Sequence, residues 1–173
     1  MKAINLNPEP PFAPFDLGVT RPAAPAVSLG AATSGDQETV AIVATVVNIW
    51  GEESAPSNPV LFDRQAGQNA TYTVTHTATA GQQAINGINF YRTYPSQQGT
   101  TEYFLINPTP AALAGGVATL VDASDTPQTT TNLTSTEWDT PPALPSNLTY
   151  VGNGFFAIGS GKDIVFSEPY RPH

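Results

Sequence analysis

The chain has 173 residues, a formal net charge of −8 with only six Lys plus Arg, and no cysteine. So few cations cannot neutralise a row of phosphates, which argues against nucleic acid and anionic membrane surfaces as partners. The missing thiols exclude a disulfide framework and any thiolate metal site. Charged residues make up 12%, apolar residues 40%, and there are 17 prolines and 14 glycines. That mixture suits short strands joined by turns, so the expected class is all-β: one domain with appendages, long enough to bury a core.

Residues 1–24 read as an extended, Pro-rich arm. Pro8, Pro10, Pro11, Pro14 and Pro22 forbid a helix or a central strand, while Phe12, Phe15 and Leu17 give the arm something to bury. The opening "MKAINLNPEPPFAPF" lacks the continuous apolar stretch of a secretory leader. No run of about 18 apolar residues occurs anywhere, so no membrane-spanning helix is expected.

Val40–Ile49 is apolar on both faces, as a central sandwich strand would be. The turn "NIWGEES" follows, with Gly51 free to adopt positive φ and Glu52 and Glu53 expected in water at the tip. Pro56 and Pro59 cannot donate to a ladder, so the outgoing strand should lie at a sheet edge. In "ATYTVTHTAT" (70–79), Tyr72, Val74, His76 and Ala78 share one face and the threonines the other, the pattern of a half-exposed strand. "NGINFYRTYP" (86–95) and "TEYFLIN" (101–107) read as a hairpin across "SQQGT". "TPAALAGG" is helix-like or turn-like, and "GVATLVDAS" (116–124) supplies another short strand.

Residues 125–146, Thr-rich and then Pro-rich, read as a linker. "LTYVGNGFFAIGSGKDIVFSE" shows apolar pieces separated by "GNG" and "GSGK", a β-meander over 147–173. A lone meander is marginal in water, so this one should pair with something beyond itself.

Two resemblances rest on these stretches. "VAIVATVVNIWGEESAPSNPV" resembles the last two strands of a fibronectin type III domain, an apolar F strand, an acidic Gly turn and a Ser-Pro G strand. "INGINFYRTYPSQQGTTEYFLI" resembles the middle of the same family. The order is reversed here, so the resemblance implies a permuted or variant fibronectin type III/Ig-like β-sandwich over 25–124; such domains have surface termini, which makes permutation easy. "STEWDTPPALPSNLTYVGNGFFAIGSGKDIVFSEPYRPH", with Trp138, Asp139, Pro141, Pro142 and the closing Ser167, Glu168, Pro169, Tyr170, Pro172 and His173, resembles structural proteins of tailed bacteriophages and prophages. The second resemblance implies a virion protein, made in the host cytoplasm and assembling with other virion proteins as a ring or other symmetric homo-oligomer.

Local chemistry points to no catalytic constellation and no cofactor. "GSGKD" has Phe156 where a phosphate loop needs glycine, Asp163 where it needs Ser or Thr, and a strand instead of a helix behind it. His76 sits mid-strand and is expected half-buried, hydrogen-bonded to a neighbour. Glu52, Glu53 and Asp63, or Asp122 and Asp125, lack the alternate spacing of a calcium loop. No enzyme or metal site is therefore expected. The expected interface residues are Phe12, Phe15, Trp50, Trp138, Phe155, Phe156 and Tyr170. Each tryptophan either docks on a neighbouring subunit or covers its own domain's core. A reading from another class is a glycan-binding or host-adhesion module with aromatics gathered on one concave face.

Overall fold

The computed structural model describes residues 2–4, 14–16, 19–77, 84–95, 102–127, 130–133, 146–152 and 155–167. The described part is all-β and antiparallel throughout. It divides into two compact units: Val19–Ala78 with Ala84–Glu137, and Met1–Gly18 with Thr79–Gln83 and Trp138–His173.

The larger unit holds β3 (Ala26–Leu29), β4 (Gln37–Asn48), β5 (Val60–Gln65), β6 (Ala70–Thr75), β7 (Ile85–Thr93), β8 (Tyr103–Leu105) and β9 (Val117–Asp122). One sheet has the order β5-β4-β7-β8 and the other β3-β6-β9. The period of two sorts every strand. In β4, Ile42, Ala44 and Val46 turn inward, to meet Tyr72 and Val74 of β6, Ile88 and Phe90 of β7 and Ala118 of β9 in one apolar core. The rings pack edge-on or tilted, with Tyr72 5.9 Å from Phe62 and 6.0 Å from Phe90. This is a β-sandwich.

Strand β4 is central and buried on both faces, as its unbroken apolar run requires. Strand β5 is an edge, where Pro56 and Pro59 just before it cost no ladder bond. In that stretch the serines act as pairing groups: Ser54 Oγ accepts from Val46 N at 2.9 Å, and Ser57 Oγ accepts from Ala44 N at 3.0 Å. The backbone runs so close to β7 at one point that only glycine fits. A Cβ on Gly87 would lie 2.7 Å from the Ala111 carbonyl, because Ala111 bridges Ile88 with two backbone bonds of 2.9 and 2.8 Å.

That bridge corrects the helix-like option for "TPAALAGG", which is a bridged loop and a tight turn at Gly115 and Gly116, both at positive φ. Regular pairing of the strand expected over 70–79 stops at Thr75, and residues 78 and 79 lie outside the described residues. Within the stretch read as a linker, residues 130–133 run along the β8 edge: Leu105 N donates to Thr131 O and Leu133 N to Tyr103 O. Leu133 there joins Val43 and Tyr91 in a small apolar cluster on the outer face of the four-stranded sheet.

The smaller unit contains β1 (Lys2–Ile4) paired with β2 (Pro14–Asp16), so the expected extended arm doubles back on itself as a two-stranded ribbon. It also contains a meander of β10 (Ser146–Gly152), β11 (Phe155–Ser160) and β12 (Asp163–Phe166) in that order. Gly161, at φ +63°, makes the β11–β12 turn that "GSGKD" foretold.

Candidate interaction surface

The three-stranded meander leaves much of its apolar surface in water. Ile164 is 69% exposed, Phe166 61% and Tyr150 60%, with Leu148, Val151 and Val165 also exposed. Ile158 alone among its described side chains is buried. The register explains why both faces are apolar. Ile158 stands opposite Val165, and Tyr150 opposite Phe156, so these four share one face. Phe166 stands opposite Ala157, and Ile164 opposite Gly159, so these share the other. On the first face the Tyr150 and Phe156 rings meet edge-on at 5.5 Å. A monomeric protein seldom exposes a contiguous patch of this kind.

In the larger unit the acidic turn is a tied structure. Asn48, fully buried at the end of β4, accepts on its Oδ1 from Trp50 N at 3.0 Å and Glu52 N at 2.9 Å, and its Nδ2 donates to Glu52 Oε2 at 2.6 Å. Gly51, at φ +80°, closes the turn. Glu53 reaches over the outer face of the four-stranded sheet, where its Oε1 accepts from Thr45 Oγ1, from Tyr91 Oη at 2.7 Å and from Asn89 Nδ2 at 3.2 Å. Burial, with the Glu53 carboxylate next in weight, pushes the Tyr91 phenol well above its ordinary value. The expectation that both glutamates stay in water is thus corrected: each is half-buried and engaged.

The unit also closes one end of its core with charge. Arg64 and Arg92 have fully buried side chains. Arg64 Nε is 2.7 Å from Glu38 Oε1, and Arg92 Nε is 2.8 Å from Asp122 Oδ2. Tyr72 Oη donates to the same Asp122 oxygen at 3.1 Å. Both guanidinium groups donate to the Ser124 carbonyl, at 3.0 and 2.9 Å. Two cations and two carboxylates therefore balance, and β9's last residue, Asp122, is held by Arg64 of β5, Tyr72 of β6 and Arg92 of β7. Burial draws Arg92 below its ordinary value and Asp122 opposes it; burial foremost, then Asp122, raises Tyr72. Asp122, weighed for calcium, is held by arginines, and Asp125 Oδ1 accepts from Gly67 N. Sequence reasoning missed this cluster, although an Arg at an inward position of each of two strands was its signal.

His76 is buried, not half-buried. Its backbone N donates to Gly116 O at 2.9 Å, its Nε2 has no hydrogen-bond partner, and burial lowers its pKa from 6.5. An open depression of about 300 Å³ is lined by Ile106 to Thr109 and Leu120 to Ala123, with no aromatic ring among them.

Of the expected interface residues, Trp50 is 45% exposed beside Ile49 at 56%, and Phe156 is half-buried under Tyr150. Phe15 and Phe155 lie on β2 and β11, but their side chains fall outside the described residues; Phe12, Trp138 and Tyr170 fall outside them altogether. Among the described residues no group of three or more His, Asp or Glu could hold a metal, and no helix is long and apolar enough to cross a membrane. No family model matches the chain, and neither a curated protein nor a solved structure matches it.

Proposed function

We propose that this chain is a non-enzymatic structural component of a tailed-phage particle, a neck, tail or decoration protein. A permuted fibronectin type III-like sandwich is its rigid body, and the C-terminal meander its adhesive part. The observation that carries the adhesive role is the meander's apolar exposure on both faces, Ile164 and Phe166 above all. The strand order supports the permuted reading. If β4 and β5 are the family's F and G strands, F pairs with C in immunoglobulin-like sheets, and β4 indeed pairs with β7, the Tyr-Arg strand. Strand β6 then takes a central place between β3 and β9 in the second sheet. The buried ion cluster supports the reading of a rigid body, since it ties Asp122 to Arg64, Arg92 and Tyr72 on three other strands.

Mass spectrometry of particles purified from cells carrying the gene tests the reading. The chain should be present in a fixed, symmetric copy number relative to the major capsid protein. Its consistent absence from intact particles overturns the proposal.

A further inference from the structure

We infer that β9 is a pairing edge for a second copy of this chain, the two β9 strands running antiparallel about a two-fold axis at Leu120. The three-stranded sheets of the two copies then join into one sheet of six strands. The inference concerns the sandwich and draws nothing from the virion reading.

The sandwich has one tied side and one open side. On the tied side Arg21 Nη2, ahead of β3, donates to Pro56 O at 2.7 Å and to Asn58 Oδ1 at 3.2 Å, just ahead of β5. The β3 and β5 strands lie close together there. On the other side the β8 edge is already covered by residues 131–133. Strand β9 has no such cover among the described residues. Its end, Leu120 to Ala123, is one bank of the open depression whose other bank is Ile106 to Thr109. The usual edge protections are missing too, since no proline, lysine or bulge interrupts Val117–Asp122.

The register tells which groups are left over. In an antiparallel ladder, opposite residues alternate between exchanging both backbone bonds and exchanging none. Continuing the β6–β9 register, His76 N donates to Gly116 O at 2.9 Å, so Ala118, Leu120 and Asp122 turn their N–H and C=O towards β6. Val117, Thr119 and Val121 turn theirs outward. Val117 exchanges both of its bonds with Ala114, at 3.1 and 2.9 Å. Among the described residues nothing pairs with the outward groups of Thr119 and Val121.

Those four groups choose the occupant. With Leu120 set opposite Leu120 of a second copy, Thr119 of each strand faces Val121 of the other, and all four groups on both copies are bonded. A two-fold contact uses the same patch twice, so it closes at a dimer and propagates no fibre. The side chains agree with this register. On the outer face, β-branched Thr119 stands beside β-branched Val121, which is 60% exposed in the single chain. On the inner face the half-buried Leu120, which lines the depression, gains a second leucine beside it. Charge does not oppose the contact. The outer face carries Thr71, Thr73, Thr75 and Thr119 and no charged residue, and Asp122, the one charge of β9, is buried against Arg64 and Arg92. A chain of net charge −8 thus meets itself where it presents none.

Amide hydrogen exchange of the full chain, followed by NMR over a concentration series, is the direct test. The Thr119 and Val121 amides should exchange as open-strand amides in dilute solution and slow together as concentration rises, whereas Leu120, bonded to β6, stays slow throughout. Val121→Pro removes an N–H that bonds nothing within the chain, so it should keep the thermal transition and abolish the slowing at Thr119. Thr119→Lys, at an exposed position, brings two cations about 7–8 Å apart across the axis and should abolish the slowing at Val121. Because the chain has no cysteine, Val121→Cys should crosslink to itself with a short bismaleimide, and Ser28→Cys, on the far strand of the same sheet, should not. Thr119 and Val121 amides that stay fast at the highest soluble concentration overturn the proposal. So does crosslinking through Ser28→Cys alone, which would put the contact on β3. Slowing that survives both Val121→Pro and Thr119→Lys overturns it as well.

Discussion

In the sandwich, Ile42, Val46, Ile88 and Phe90 have no exposed surface, whereas in the meander Ile164 and Phe166 are more than half exposed. Both regions are antiparallel sheets built from the same β-branched and aromatic residues. They differ in layers. The sandwich has two sheets that cover each other's inner faces, and its outer faces are made tolerable by Thr71, Thr73 and Thr75 on one side and by Leu133 and Glu53 on the other. The meander has one layer, and no alternation of three short strands can hide both of its sides. A sheet with two apolar faces is a component in want of two covers; a sheet with one apolar face is half of a domain.

The sharpest way to break the comparison is to break the sealed region. Asp122→Ala would leave Arg64 and Arg92 buried with one carboxylate, Glu38, between them. Removing one partner from a buried ion network costs roughly 3–5 kcal/mol. The denaturant midpoint of the sandwich should fall accordingly, read by circular dichroism and by the fluorescence of Trp50 in a Trp138→Phe background. A loss below about 1 kcal/mol, the range of exposed pairs, would mean that water reaches the cluster and that the two regions are less different than their burial implies.

A smaller effect tests whether the acidic turn is tied or merely tolerated. Asn48→Ala removes the acceptor for Trp50 N and Glu52 N and the donor to Glu52 Oε2. With the buried groups left partly unsatisfied, a loss of about 1–3 kcal/mol is expected. Urea titration of the variant beside the parent gives the number, and no change would show that solvent replaces all three bonds.

Much of this was legible from residue order. Alternation marked β6, the two-faced apolar run marked β4, and the glycine punctuation marked the meander, because each is local and depends on a period of two. Pro56 and Pro59 placed β5 at an edge by the same local reasoning. What alternation could not foretell was pairing between distant side chains. Arg64, Arg92 and Asp122 lie on three strands far apart in the chain and meet only when two sheets close over one another. Glu52 and Glu53 looked like turn residues because composition describes a turn, not what lies beneath it; Asn89 and Tyr91, 36 and 38 residues later, make the site that Glu53 fills. The exposure of the meander was foreseeable in kind, since three strands cannot form a core, but which side chains share a face needed the register.

A pH series separates the sandwich's two sorts of buried polar group. His76 is buried with its pKa lowered from 6.5, so the folded state prefers it neutral and the unfolded state binds the extra proton. Its contribution is full above 6.5 and is lost as pH falls below 6.5 towards the folded value. The sandwich should therefore lose stability through that window, and His76→Gln should flatten the slope there without changing it near pH 8. At the alkaline end the sign reverses for Tyr72, whose raised pKa keeps it protonated when folded, so stability falls as pH climbs past 10 and Tyr72→Phe flattens that limb. An unchanged acid limb in His76→Gln would mean that the imidazole reaches solvent when folded.

The smallest effect is the most discriminating. Leu61 and Ile164 are equally exposed, at 69% each. Leu61 stands outward on edge strand β5, with Asp63 beyond it on the same face, bonded to Thr39. Ile164 stands with Phe166 over the flat ground of Ala157 and Gly159. If exposure by itself made a surface adhesive, Leu61→Ser would alter association as much as Ile164→Ser. If contiguity decides, Leu61→Ser leaves both stability, within about 0.5 kcal/mol, and the sedimentation profile where they were, while Ile164→Ser shifts the profile towards monomer. Equal shifts would remove the distinction between an isolated apolar side chain and a patch, on which the contrast between the two sheets rests.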